Sequence, residues 1–281
     1  MPLNHNPLAL HTWTLDTTPL RSVLDIAHTT GWDAVELRRL DFERAEAGGQ
    51  SQAEVLQLVR DSGLSVSAVG VTFGWMFADA AARPALLSTF ERSCAAAAEL
   101  GCPRVMSPVD RERGDLAQAA DSVRQVSDIA ARYGVKIALE FNSQAEQFNT
   151  LESVRELLAL AQHPACGLLL DTYHLQRSGR TGASFSEVSP DEIVYVQYSD
   201  VPRSGLKPGY ALDRLPPGEG AVDFASIFGL LEEKGYTGPL SFEGPNPATW
   251  ERDPTDVARD VLQATRNVLG STTQSVPTAG S

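Results

Sequence analysis

Apolar residues fall into short runs that read as buried strands, alternating with longer stretches whose apolar positions recur every three to four residues, as on a helix face. The strand-like runs are LALHTW at 8–13, WDAVELR at 32–38, LSVSAVGV at 64–71 and PRVMSP at 103–108, followed by VKIALEFN, CGLLLDTYH, IVYVQYSD and PLSFEGPN. Helical patterning covers about 19–30, 51–62, 83–100, 113–133 and 150–162, with a short stretch after His174 and others near 223–234 and 254–269. Gly31, Gly63, Gly101, Gly134 and Gly235 stand between a helix and the next strand, where a left-handed residue turns the chain.

Eight strands in strict alternation with about eight helices predict an α/β architecture, a single (β/α)8 TIM barrel. An open doubly wound sheet is the competing arrangement, but no early strand is followed by the G-x-G-x-x-G turn of a dinucleotide-binding unit. The barrel is expected over residues 1–269. The Pro- and Gly-rich stretch from Val201 to Gly220 lies within the seventh βα unit and reads as a long active-site loop rather than a linker. The tail GSTTQSVPTAGS, residues 270–281, reads as disordered.

Composition narrows the partners. A net charge of −13, from 36 acidic and 23 basic residues, lacks the basic footprint that binding to a phosphate backbone requires, so nucleic acid is excluded. No apolar run approaches the ~20 residues that span a bilayer, which argues against a membrane partner. MPLNHNPLALHTW lacks the basic segment and apolar stretch of a signal peptide, and a cytoplasmic protein is expected. Cys94, Cys102 and Cys166 form no C-x-x-C, and read as buried free thiols. A homo-oligomer is possible, since barrel helices often pair.

The chemistry is concentrated at the ends of the last four strands. Glu140, Asp171, Gln197 and Glu243 each stand at or near the C-terminal tip of an apolar run, where desolvating a polar group is costly unless it has a partner. Their spacings of 31, 26 and 46 residues match successive βα units, the last lengthened by the Val201–Gly220 loop. Adjacent strand ends would gather them around one point. Three carboxylates and an amide oxygen form a hard donor set suited to one Mn²⁺, Mg²⁺ or Co²⁺ ion rather than to zinc. The alternative is that Glu140 and Glu243 pair with arginines at the barrel mouth while Asp171 caps the following helix.

The segments GWDAVELR, ALEF around Glu140, LLLDTYHLQRSG around Asp171, YVQYSDVP around Gln197, LPPGEG at 215–220 and LSFEGPN around Glu243 carry a resemblance that extends to about Leu269. The chain resembles the xylose isomerase-like TIM-barrel superfamily, the sugar phosphate isomerase/epimerase group that includes tagatose 3-epimerases, inosose dehydratases, 3-dehydroshikimate dehydratases and endonuclease IV. The resemblance implies that Glu140, Asp171, Gln197 and Glu243 bind one divalent metal and that His174, of the D-x-x-H pattern, lies beside it near the substrate. Epimerases of the group usually carry histidine where this chain has Gln197, whereas 3-dehydroshikimate dehydratase-like members use glutamine, which tilts the expectation toward dehydration. Endonuclease IV-like members need several strand-end histidines, and only His11 and His174 stand in such places.

The expected reaction is proton abstraction beside a carbonyl of a small keto or polyhydroxy substrate, with a divalent cation stabilising the enolate. His174, Glu140 and Glu243 are the candidate proton-transfer groups. Dehydration, ketose 3-epimerisation or isomerisation, and β-elimination from a 3-keto glycoside share this chemistry. A non-catalytic metal-containing binding subunit is the alternative of another class. His11, Glu36 and Arg38 at the first and second strand ends, and Arg203 and Lys207 on the seventh loop, are candidate substrate contacts, the arginine suiting an acidic group. Glu219 is expected to orient the metal's ligands or fix the loop. Trp13, Phe73, Trp75 and Phe77 are candidates for the pocket wall or for ordinary packing.

Overall fold

A computed structural model describes the backbone of residues 2–272 and the side chains of residues 2–270. Eight parallel strands close in sequence order: β1 (Leu8–His11), β2 (Ala34–Leu37), β3 (Ser65–Gly70), β4 (Arg104–Pro108), β5 (Lys136–Glu140), β6 (Cys166–Asp171), β7 (Ile193–Tyr198) and β8 (Leu240–Phe242), with β1 pairing β8. The protein is a single (β/α)8 barrel. Around it lie α1 (Leu20–Thr30), α2 (Arg39–Ala47), α3 (Gln52–Asp61), α4 (Arg83–Glu99), α5 (Leu116–Arg132), α6 (Leu151–Ala161), α7 (Thr172–Arg177), α8 (Phe224–Glu233), α9 (Pro247–Trp250) and α10 (Pro254–Thr272).

Strand alternation sorts the side chains into two cores. Val35, Leu37, Ile137, Leu139, Leu168, Leu170 and Val196 belong to the large apolar cluster shared with the helices. Ala68, Met106, Ala138, Leu169 and Tyr195 form a separate small cluster. Glu140, Asp171 and Gln197 follow Ala138, Leu169 and Tyr195 by two residues, so the strand pleat puts them on the same inward face, one layer nearer the C-terminal mouth. Register supplies the rest of the alignment, with Asp171 opposite Gln197 and His11 opposite Glu36.

The ends of the helices follow local chemistry. Asp115, Thr150 and Asp223 cap α5, α6 and α8 by accepting a backbone N–H three residues on. Gly31 ends α1 at φ 91°, in the left-handed region. Gln162 serves the same purpose after α6 at φ 51°, where the sequence offers no glycine.

Several boundaries differ from the sequence reading. The strand read at 8–13 ends at His11, and Thr12–Leu15 turns into a 3-10 helix. Helix α2 was not expected, because RLDFERAEA has little apolar periodicity and starts after Arg38 rather than a standard capping residue. Instead the Asp41 carboxylate reaches back to the Arg38 N–H at 2.7 Å. Short helix α9 was also not foreseen. Helix α10 continues through Gly270 to Thr272, and the remainder of the tail read as disordered lies outside the described residues. Cys94 and Cys102 are buried and Cys166 partly so, all three free; burial raises their thiols to about 12, 11 and 12, respectively. No helix among the described residues is long and apolar enough to cross a membrane.

Candidate active site

Glu140 ends β5, Asp171 ends β6, Gln197 is the penultimate residue of β7 and Glu243 follows β8 directly. All four are withdrawn from solvent, and Glu140 and Glu243 line a cavity of about 510 Å³ at the C-terminal mouth together with His11, His174 and Arg214. The ligand atoms of Glu140, Asp171 and His174 lie within 4.8 Å of one another.

His174 sits on α7, three residues after Asp171, whose Oδ1 caps that helix by accepting the Tyr173 N–H at 2.8 Å. Its Nδ1 accepts the Ser143 N–H at 3.2 Å and lies 2.8 Å from Ser143 Oγ. Its Nε2 lies 3.7 Å from Glu140 Oε1 and 3.2 Å from Arg214 Nη2; because a guanidinium only donates, that contact uses the lone pair of Nε2, while the Ser143 N–H uses that of Nδ1, so the two neighbours favour opposite tautomers. Burial, opposed by Asp171 and reinforced by Arg214, lowers the imidazole to about 3, so it is uncharged.

Arg214 was not singled out in the sequence. It reaches in from the seventh loop, stacks over Tyr173 at 4.4 Å, and donates from Nη1 to Asp171 Oδ2 at 2.6 Å, with Glu243 Oε2 at 2.9 Å. The alternative reading is therefore present in part: Asp171 is a helix cap and Glu243 pairs with a buried arginine, but no arginine ion-pairs with Glu140 among the described residues. Yet the arginine leaves oxygens over. Glu140 Oε1, Gln197 Oε1 and Glu243 Oε2 are all buried without a hydrogen bond, Glu243 Oε2 being close to Arg214 but not hydrogen-bonded to it.

The electrostatics agree. Burial first, then repulsion from Glu243 and Asp171, raises Glu140 well above the usual carboxylate range. Burial raises Glu243 to about 7 despite Arg214. Burial also opposes ionisation of Asp171, but attraction and hydrogen bonding from Arg214, with the Tyr173 N–H, more than offset it and hold it low. Two partnerless buried oxygens from two strand ends, Glu140 Oε1 and Gln197 Oε1, in a cluster with more carboxylates than its one guanidinium neutralises, fit a hard divalent cation.

The xylose isomerase-like TIM-barrel family model matches residues 24–268. The chain belongs to that family. It is 24% identical to an inosose isomerase of Bacillus velezensis over 91% of this chain and 94% of that protein. It is 30% identical to a 3-dehydroshikimate dehydratase of Pseudomonas putida over 46% of this chain and 21% of that longer protein. Among solved structures, an IOLI protein with a bound zinc atom superposes with a TM-score of 0.84 at 21% identity, covering 95% of this chain and 99% of that one, a likeness of fold.

Within this xylose isomerase-like barrel the other sequence-derived candidates separate. His11 and Arg38 line the cavity; Glu36 is fully buried beneath it. His11 Nε2 lies 3.7 Å from Glu36 Oε1 and 3.5 Å from Glu243 Oε1, and burial keeps the ring neutral. Arg38 is held by Asp16 at 2.7 Å and Asp41 at 3.2 Å. Arg203 and Lys207 are exposed and do not line the cavity; the ammonium of Lys207 rests over Tyr210 at 5.8 Å. The loop turns outward there, and the arginine it sends inward is Arg214, just before the LPPGEG segment.

Glu219 is exposed as well, and the carboxylate that fixes the loop is Asp200. Asp200 accepts the N–H groups of Val201, Gly218, Gly220 and Val222 at 2.7–2.9 Å. Gly220 must be glycine, because a Cβ there would collide with the Val201 carbonyl and the Asp200 carboxylate. Trp13 and Phe73 line the cavity, whereas Trp75 packs edge-on against Phe90 and Phe77 stacks on Phe148. Ser143, Arg214 and Asp200 carry no periodic signal; Asp200 was visible only as the last residue of YVQYSD.

Proposed function

We propose that the protein is a divalent-metal-dependent isomerase or epimerase of a small keto or polyhydroxy substrate, working by proton transfer at carbon next to a carbonyl. The observation that carries this is the pair of partnerless buried oxygens on Glu140 and Gln197, beside Glu243, whose Oε2 has only an ion-pair contact with Arg214; both glutamates line the cavity. Glu140, Asp171, Gln197 and Glu243 would hold the ion, with Mn²⁺, Mg²⁺ or Co²⁺ matching an all-oxygen set. Bound there, it would supply positive charge to a substrate carbonyl and neighbouring hydroxyl, acidifying the C–H between them.

The residues divide the remaining work. Glu243 and Glu140, the last residues before the loops of β8 and β5, can take a proton from one face of the carbon and return it from the other. The C–H pair passes to the carbonyl oxygen as an enediolate, and reprotonation restores the carbonyl. Arg214, beside the neutral His174 on the cavity wall, binds the oxygen that gains charge, and His174 lines the same wall next to it. The cavity's access to Glu140 and Glu243 supports turnover over a sealed structural site. The full-length similarity to an inosose isomerase supports the substrate class.

Dehydration is the second reading, favoured by Gln197 and by the match to a 3-dehydroshikimate dehydratase. In it one glutamate takes the proton at carbon, and the same enolate expels a β-hydroxyl that leaves as water with the proton carried by Glu140. The test is NMR of inososes, ketoses and 3-keto acids incubated in D₂O with Mn²⁺-loaded protein. Deuterium entering carbon without loss of water is the expected result; a new alkene signal would shift the reading to dehydration. Failure of every candidate to exchange with metal-replete protein would overturn proton transfer.

A further inference from the structure

We propose that Glu36 is a positioning residue that makes Gln197 an oxygen ligand, by holding the amide nitrogen so that the amide oxygen alone faces the metal site. The inference rests on the metal-dependent reading above. A glutamine amide has two ends of nearly equal size and opposite hydrogen-bonding character, and a cation accepts only one of them. An NH₂ turned toward the ion would repel it. At a ligand position the amide therefore needs a neighbour that distinguishes its ends, a requirement a carboxylate does not have.

Glu36 is that neighbour. Gln197 Nε2 donates to Glu36 Oε1 at 2.8 Å, and Gln197 Oε1 is left buried without a hydrogen bond. Glu36 Oε1 is the acceptor of that bond, and no donor stands against Gln197 Oε1, so the contact holds the nitrogen end of the amide and leaves the oxygen end free. The Glu36 carboxylate is itself braced by the Tyr195 hydroxyl, 3.0 Å from Oε2 and 2.7 Å from Ser67 Oγ. Tyr195 stands two residues before Gln197 on β7, in the inward layer beneath it, so one strand supplies both the ligand and the brace for its partner. Glu36, Gln197 and Tyr195 are fully buried, which leaves no solvent to take over the bond. Glu36 does not line the cavity. It acts on Gln197 and not on substrate.

The test measures Mn²⁺ binding to the full-length, metal-stripped protein by calorimetry, independently of activity. Glu36→Leu is expected to weaken Mn²⁺ binding about 10–100-fold, the usual effect of losing a partner that orients a ligand, while circular dichroism and cooperative melting show a folded chain. Adding Gln197→Glu to that variant is expected to restore most of the affinity, because a carboxylate presents oxygen from either end. Wild-type affinity in Glu36→Leu, or a folded Glu36→Leu that Gln197→Glu does not rescue, overturns the proposal. Should Glu36→Leu fail to fold, Glu36→Gln decides: it offers one acceptor in place of two, a loss of several-fold is expected, and unchanged affinity overturns the proposal. A wild-type protein that binds no Mn²⁺ overturns the metal-dependent reading itself, whereas a wild type that binds it and a Glu36→Leu variant that binds it equally well overturn only the role of Glu36.

Discussion

Arg214 donates from Nη1 to Asp171 Oδ2 at 2.6 Å, and neither side chain reaches solvent. Asp171, Glu243 and Glu140 raise the guanidinium's affinity for its proton, against the cost of burial, so the group stays cationic. Removing one partner of a buried ion pair leaves the other uncompensated, a loss of about 3–5 kcal/mol. Arg214→Met is therefore expected to melt lower than wild type when metal-free. Mn²⁺ should raise the melting temperature of the variant more than that of wild type, because the ion replaces the missing positive charge. Turnover should remain low even with metal. Thermal melts with and without Mn²⁺, alongside kcat/KM, check all three outcomes.

Asp171→Asn and Glu243→Gln each remove one carboxylate from the cluster while keeping its shape. Both are expected to lower bound metal, read by elemental analysis after dialysis, and to abolish turnover. A metal-loaded, fully active Asp171→Asn protein would remove these strand tips from the mechanism.

His174→Ala should separate metal binding from chemistry. With Nδ1 beside Ser143 and Nε2 beside Glu140 and Arg214, the imidazole is fixed on the cavity wall. The expected result is wild-type metal content with kcat reduced about 10²–10⁴-fold, the range for a lost acid–base group. Loss of the metal would instead make His174 a ligand alongside Glu140 and Asp171, a set the geometry also brings together.

Asp200→Ala tests how the seventh loop is held. Four backbone N–H groups converge on that one buried carboxylate. Each unsatisfied buried group costs about 1–3 kcal/mol, so even partial relaxation is expected to lower the melting temperature by roughly 10 °C. Activity should fall with it, since Arg214 is carried by the same loop.

Asp16 gives a pH-dependent contribution away from the ligand cluster. Its carboxyl is held below the ordinary 3.8, burial being outweighed by hydrogen bonds and attraction from Arg44 and Arg38. A depressed folded value means stability that is present above the unfolded pKa and lost as pH falls through the folded one. Asp16→Asn should therefore be less stable than wild type near pH 7, and the difference should shrink as pH falls below about 3.8. Denaturant titrations across that range measure it; a gap that persists at low pH would contradict the ion-pair account.

Sequence periodicity was enough to place Glu140, Asp171, Gln197 and Glu243 at the ends of four successive strands, because each interrupts an apolar run at the same point of successive βα units. Helix α2 escaped it, since its polar sequence is stabilised by Asp41 reaching back to Arg38 rather than by an apolar stripe. Arg203, Lys207 and Arg214 were indistinguishable as loop cations. The stacking of Arg214 on Tyr173 and the hydrogen bond from Asn246 to its carbonyl turn it inward, and these partners come from helix α7 and from the turn before α9.

The sequence by itself determined the barrel, the strand order and the tips that converge, because these follow from local periodicity and from the arithmetic of repeated βα units. Only the tertiary structure decided which loop cation entered the site, which carboxylate held the loop, and that Glu36 faces Gln197 across the barrel interior. The physical reason is range: hydrophobic alternation acts within a strand, whereas the pairing of buried polar groups joins side chains well beyond it, 18 residues apart for Asp200 and Gly218, 43 for Asp171 and Arg214 and 161 for Glu36 and Gln197.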